Sequence, residues 1–182
     1  MQFRGFALSR PGAFREGARG ASGTRIGAWL YVYPVGMDGM APDHVLVPLD
    51  GSPLSEDALA HALETFDCRV TVLNVVTLPD DPMSEGGVLE PDDARLTDAH
   101  ERADTILKRA SDRAAGAERT VETAVETGDP AETILAFVDD RDVDHVVMGG
   151  HGSGRGGIAR RLLGTVATTV VAEAAVTVTV VR

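Results

Sequence analysis

From residue 44 onward, short apolar runs rich in β-branched residues alternate with longer stretches whose apolar positions recur every three to four residues. The first run, His44-Val45-Leu46-Val47-Pro48-Leu49, stops at Asp50-Gly51-Ser52-Pro53, and its unbroken hydrophobicity predicts a strand buried on both faces, as strands of parallel sheets are. Ser52 or Ser55 then caps a helix, with Pro53 fitting its first turn and Glu56 and Asp57 suiting the positive end of its dipole. Ala58, Leu59, Ala62, Leu63 and Phe66 supply that helix with a buried face. Cys68 to Val76 predicts a second strand. From Thr77 to about Asp92 the pattern dissolves into Pro, Asp, Gly and Ser, the mark of a loop. A helix is expected over roughly Asp93 to Ala115, with Leu96, Ala99, Ala103, Ile106, Leu107 and Ala110 on one side. Thr120 to Val125 predicts a third strand, and Gly128-Asp129-Pro130 opens a helix in which Ile134, Leu135 and Val138 face inward. Val143 to Met148 is the fourth strand. A glycine-dense segment follows, then a last helix over about Ile158 to Ala172 carrying Leu162, Leu163, Val166, Val170 and Val171, and a fifth strand from Val176 to Val181.

Five strands alternating with four helices predict an α/β fold with a doubly wound parallel sheet, because parallel neighbours need crossover connections. In the strand order 3-2-1-4-5 the topological switch falls between the first and fourth strands, and ligands of such folds bind at the carboxyl edge there. Two loops are expected to meet at that crevice, Leu49-Asp50-Gly51-Ser52 and the segment from Gly149 to Gly157. The second holds Gly149, Gly150, Gly152, Gly154, Gly156 and Gly157 between a strand and a helix. Glycines let backbone N–H groups turn inward and approach a ligand without Cβ clashes, and a helix N-terminus behind them favours phosphate. Standing alone, such a loop also serves as a tight connection that binds nothing. Asp50 either caps the following helix or presents a carboxylate that accepts hydrogen bonds from a ribose hydroxyl or a base amino group. A carboxylate repels phosphate, so base or sugar belongs near Asp50 and phosphates near the glycines, the two loops marking the ends of one nucleotide.

Composition sharpens this picture. The chain has 182 residues, enough for one domain that needs no staples, and a single cysteine, Cys68, which excludes an internal disulfide and fits a reducing, cytoplasmic compartment. It carries 28 acidic against 17 basic residues, for a net charge of −11, and Lys108 is its only lysine. Such a surface argues against nucleic acid or anionic membrane as partner and resembles the acid-rich surfaces of proteins from high-salt cytoplasm. Against that background Arg155, Arg160 and Arg161 are concentrated in the glycine loop. Residues 1–39 differ from the rest, with Arg4, Arg10, Arg15, Arg19 and Arg25 against Glu16 and Asp38. Their apolar stretch, Ile26 to Val35, falls short of the roughly 20 residues of a membrane helix. The expected division is therefore a disordered or untranslated extension over 1–39 and a domain over 40–182.

V-P-L-D-G-S after the first strand, M-G-G-H-G after the fourth, and L-L-G-T-V at the start of the last helix together resemble the universal stress protein family over residues 44–182. Its nucleotide-binding branch carries G-x2-G-x9-G-[ST] in this loop. Gly149 and Gly152 match the first half, and Gly164-Thr165 the end. Eleven residues rather than nine separate Gly152 from Gly164, whereas Gly154 stands at the nine-residue gap, which brings Gly154 into the same cradle. The resemblance implies that Pro48, Asp50 and Val75 line the adenine and ribose end, that Met148 and Gly149 cover the ribose, and that Gly152, Gly164, Thr165 and Val166 hold the phosphates. It implies ATP, ADP or AMP as ligand, with Mg²⁺ held through the phosphates, and a stress-response or regulatory module with little or no turnover. It also implies a homodimer paired antiparallel through the last strand, Val176 to Val181, although prolines common near Ala175 and Thr177 in related sequences are absent here. The competing expectations are a dimerisation module without nucleotide and, from His151 beside Ser153 and across from Asp50, a slow ATP hydrolase. A P-loop kinase or a receiver domain needs a lysine where this chain has none, and no His or Cys spacing predicts a metal site.

Overall fold

The computed structural model describes residues 29–32, 41–77, 93–150 and 163–182. In chain order the elements are β1 (Trp29–Val32), β2 (His44–Pro48), α1 (Pro53–Thr65), β3 (Arg69–Val76), α2 (Asp93–Gly116), β4 (Glu122–Thr127), α3 (Pro130–Asp140), β5 (His145–Gly149), α4 (Thr165–Glu173) and β6 (Thr177–Val181). The sheet runs β1-β6-β5-β2-β3-β4. Its parallel part, β4-β3-β2-β5-β6, has the order expected from the sequence, with β2 flanked by β3 and β5. One strand was not foreseen. Trp29–Val32 adds to the outer side of β6, antiparallel, with Leu30 opposite Val180 and Tyr31 opposite Thr179. The expectation of no structure before Met40 therefore does not describe this short run, and the edge of β6 expected to face a second copy is covered by the chain itself.

The alternation of side chains along each strand divides the core in two. Val45, Val47, Val70, Val72 and Val147 meet Ala58, Leu59, Leu63, Leu107, Ala110 and Ala114, so α1 and α2 cover one face. Leu46, Leu73, Val146, Met148, Val178 and Val180 meet Ile134, Phe137, Val138, Ala167 and Val170, so α3 and α4 cover the other. The result is a three-layer sandwich with a sheet buried on both sides. Ser52 caps α1, its hydroxyl accepting from Ser55 N, and Asp129 caps α3, accepting from the amides of Ala131 and Glu132. Proline follows each cap, where its missing N–H costs nothing.

Two boundaries and one buried face differ from the expectation. β4 covers Glu122–Thr127 rather than Thr120–Val125. In α3 the buried positions include Ala131 and Phe137, and Leu135 is only half buried, because the helix rests on the row 131, 134, 137, 138. Leu163 and Gly164 precede α4, which begins at Thr165. Residues 151–162, including Leu162 and the expected start at Ile158, lie outside the described residues.

Polar bonds gather at the amino end of the parallel strands. His44 Nε2 lies 2.8 Å from Thr71 Oγ1, and Asp144 accepts from the amides of Asp43 and His44 at 3.0 and 3.3 Å. Arg69 donates to Glu122 at 2.8 Å, holding its carboxyl below the usual range. The Arg119 guanidinium donates to the carbonyls of Leu63, Phe66 and Cys68, tying the end of α1 to the start of β3. His145, its Nε2 2.8 Å from Thr179 Oγ1, packs tilted against Phe66 with centroids 4.7 Å apart, and His61 meets the same ring edge-on. Burial pushes both His61 and His145 down to about 4 from an ordinary 6.5.

Candidate functional site

At the opposite, carboxyl end, where β2 and β5 send their chains to different faces of the sheet, lies a cavity of about 320 Å³. That volume sits at the lower end of the ~300–1,000 Å³ range of ligand pockets. One wall is the turn after β2. Leu49 N donates to Leu73 O at 2.8 Å, and the buried Asn74 side chain donates back to Leu49 O at 2.6 Å, so the end of β2 is clamped to β3 from both sides. Gly51 then turns the chain at φ 78°, a left-handed conformation that glycine adopts without strain. Asp50 Oδ1 accepts from Ser52 N at 2.9 Å. Its other oxygen has no hydrogen-bond partner among the described residues. Asp50 thus shapes the turn through one oxygen, the cap of α1 that it was one candidate for falls to Ser52, and its exposed carboxylate lines the cavity wall.

The facing wall is the end of β5 and the start of α4. A Cβ on Gly149 would stand 2.9 Å from the backbone of Leu54 and Ser55, so glycine here lets α1 pack against the strand end. Gly150 N donates to Val181 O at 2.8 Å and Gly164 N donates to Gly150 O at 2.7 Å, which joins the two ends of the glycine-rich segment to each other and to β6. Gly164 is the N-cap of α4, with φ −63° and ψ 163°, and offers no side-chain cap. Amides in the first turn of α4 therefore meet the cavity with the positive end of the dipole behind them and no hydroxyl or carboxylate of the cap to satisfy them. A carboxylate on one wall and a bare helix start on the other form a polar gradient across a mostly apolar slot. Among the described residues no group of three His, Cys, Asp or Glu is placed to hold a metal.

Of the residues singled out in the sequence, Pro48, Asp50, Val75, Met148, Gly149, Gly164, Thr165 and Val166 all line this one cavity. Gly152 and Gly154 lie outside the described residues, as do His151, Ser153, Arg155, Arg160 and Arg161. Thr77, Pro130 and Ile134 also line the cavity and were not anticipated. A signal for the latter two existed: Gly128-Asp129-Pro130 leaves β4 at the same sheet edge as the Asp50 turn, and Gly128 N donates to Val76 O at 3.0 Å.

The model of the Universal stress protein family matches residues 42–182. The chain belongs to the universal stress protein family. It is 31% identical over 142 residues to the universal stress protein MJ0531 of Methanocaldococcus jannaschii, an alignment covering 76% of this chain and 81% of that one. Its fold is similar to that of the universal stress protein UspA from Lactobacillus plantarum, with TM-score 0.66, 24% identity, and coverage of 79% of this chain and 100% of the other. It is also similar to a universal stress protein family member from Arabidopsis thaliana whose structure has AMP bound, with TM-score 0.56, 21% identity, and coverage of 77% and 91%. The parallel strand order and the four helices described above are those of the universal stress protein fold.

Proposed function

We propose that this universal stress protein binds an adenine nucleotide, ATP, ADP or AMP, in the cleft between the Asp50 turn and the start of α4, and serves in the cytoplasm as a stress-response or regulatory module with little or no turnover. The observation that carries this is the sharing of one cavity by Asp50 and by Gly164, Thr165 and Val166. The donor set suits a nucleotide: Asp50 Oδ2 to accept from ribose hydroxyls, apolar walls at Pro48, Val75 and Met148 for the base, and amides of Gly164, Thr165 and Val166 toward phosphate. Gly152 and Gly154 belong to the same phosphate cradle in this proposal. Magnesium, when present, would be held mainly by the phosphate oxygens. The AMP bound by the Arabidopsis relative supports an adenine nucleotide as the class of ligand. A homodimer through Val176 to Val181 belongs to this proposal only in molecules whose β1 has left the β6 edge.

Calorimetric titration of the full chain with ATP, ADP and AMP, with and without magnesium, tests it. Saturable heat is expected. Asp50→Asn keeps an oxygen for Ser52 N but loses the charge, and should weaken binding by about tenfold or more, since hydrogen bonds to charged groups contribute about 1.5–3 kcal/mol. Absence of heat in the unaltered chain would favour a dimerisation module that holds no nucleotide.

A further inference from the structure

A strand has two hydrogen-bonding edges, and in β6 both are taken. β5 occupies one in parallel register, from His145 opposite Thr177 to Gly149 opposite Val181, and β1 occupies the other in antiparallel register over Val178 to Val181. All five residues of β6 are buried, whereas β4, at the far side of the sheet, is exposed or half-exposed at every position. β6 is thus packed as an interior strand. A second copy pairing antiparallel through its own β6 needs the same outward N–H and C=O groups that β1 uses, so the two arrangements exclude each other.

From these observations we infer that Trp29–Val32 is a built-in occupant of the homodimer edge, which closes β6 within its own chain and makes pairing of two copies conditional on its release. Two further facts favour closure within one chain. Residues 33–43 provide a reach of about 40 Å, against about 14 Å for the three strand spacings between β1 and β2. Residues 1–39 carry five Arg against Glu16 and Asp38, a balance of +3, which leaves −14 of the total −11 on the remainder of the chain. The arm is attracted to its own domain, while two copies of that domain repel each other. The partner implied is a second copy of this chain, and the device sets when it is admitted. This inference rests on the homodimer part of the proposed function and not on nucleotide binding, which the titration decides by itself.

The test uses the full chain. In a Cys68→Ser background, Leu30→Cys and Val180→Cys place thiols on directly opposite residues, where antiparallel Cα separations of about 4.5–5.5 Å suit a disulfide. On oxidation the expected product is a crosslink within one chain, seen as a single-chain band on a non-reducing gel with both thiols lost. A two-chain band would mean that the arm is exchanged between copies, and persistent free thiols would mean that it is not seated on β6; either overturns the inference. In a separate variant, Leu30→Pro with Tyr31→Pro removes two backbone donors from β1, and Leu30→Gly with Tyr31→Gly is a milder form of the same release. Sedimentation of these folded variants should show the mass doubling from one chain to two, where the unaltered chain stays at one. A released arm that leaves the mass at one chain would overturn the competition between arm and second copy.

Discussion

Gly149 shows how a residue picked for one reason can serve another. Its position at the mouth of the cleft suggests contact with a ligand, yet the nearest neighbours of a Cβ there are backbone atoms of Leu54 and Ser55 at 2.9 Å. Backbone at the start of a capped helix cannot yield as a flexible side chain would. Gly149→Ala is therefore expected to destabilise the fold by about 1–3 kcal/mol, the usual cost of overpacking, and to appear as a lower urea midpoint with an unchanged slope. Asp50 illustrates the limit of reading single letters: the capping role the sequence offered it falls to Ser52, and Asp50 instead holds the turn one step earlier by accepting from Ser52 N. Thr77, Pro130 and Ile134 escaped notice because their contact with the cleft depends on where the end of β3 and the start of α3 meet at the sheet edge, at which only the Gly128-Asp129-Pro130 turn hints.

Among the elements, the parallel strands and α2 were legible from apolar pattern alone, while α1 and α3 announce themselves twice, by apolar periodicity and by the caps Ser52-Pro53 and Asp129-Pro130. α4 was legible at its end but not at its beginning. An apolar Leu163 looks helical from the sequence, but Gly164, by donating its N–H to Gly150 and taking an extended ψ, caps a helix that begins at Thr165, about two turns after the expected Ile158. β1 was missed for a different reason: four residues in a glycine- and arginine-rich stretch form a strand only because β6 offers an unpaired edge, so the signal is in the partner rather than in the segment. At the other side of the sheet β4 is paired on one side only and carries Glu122 and Glu126, charges that discourage further strand addition. Native-state hydrogen exchange should show β4 amides exchanging at least about tenfold faster than those of β2 and β5, which lie between paired neighbours. Equal protection across the three strands would contradict the sheet order.

For the molecule as a whole, the buried histidines set the response to acid. His61 and His145 titrate near 4 in the folded chain and near 6.5 when exposed, so below pH 6.5 the unfolded chain binds more protons than the folded one. The stability they contribute is complete above 6.5 and is lost as pH falls toward 4, by up to about 3 kcal/mol for each histidine. Urea midpoints measured between pH 7.5 and 4.5 should fall steeply, and the fall should be shallower in His145→Gln. An unaltered slope in that variant would show that carboxylates, not this histidine, govern the acid limb. Charge on the His61 ring adds to burial in disfavouring protonation of His145.

The bonds that bolt the strands together, from Asp144 across His44 and Thr71 to Arg69 and Glu122, are at one rim of the sheet, and the slot beside Asp50 is at the other. Robustness and recognition are in this way housed at opposite poles. A lineage carrying this architecture is free to remodel what it recognises, residue by residue around the Asp50 pole, while the foundations at the far pole go on holding the strands in line.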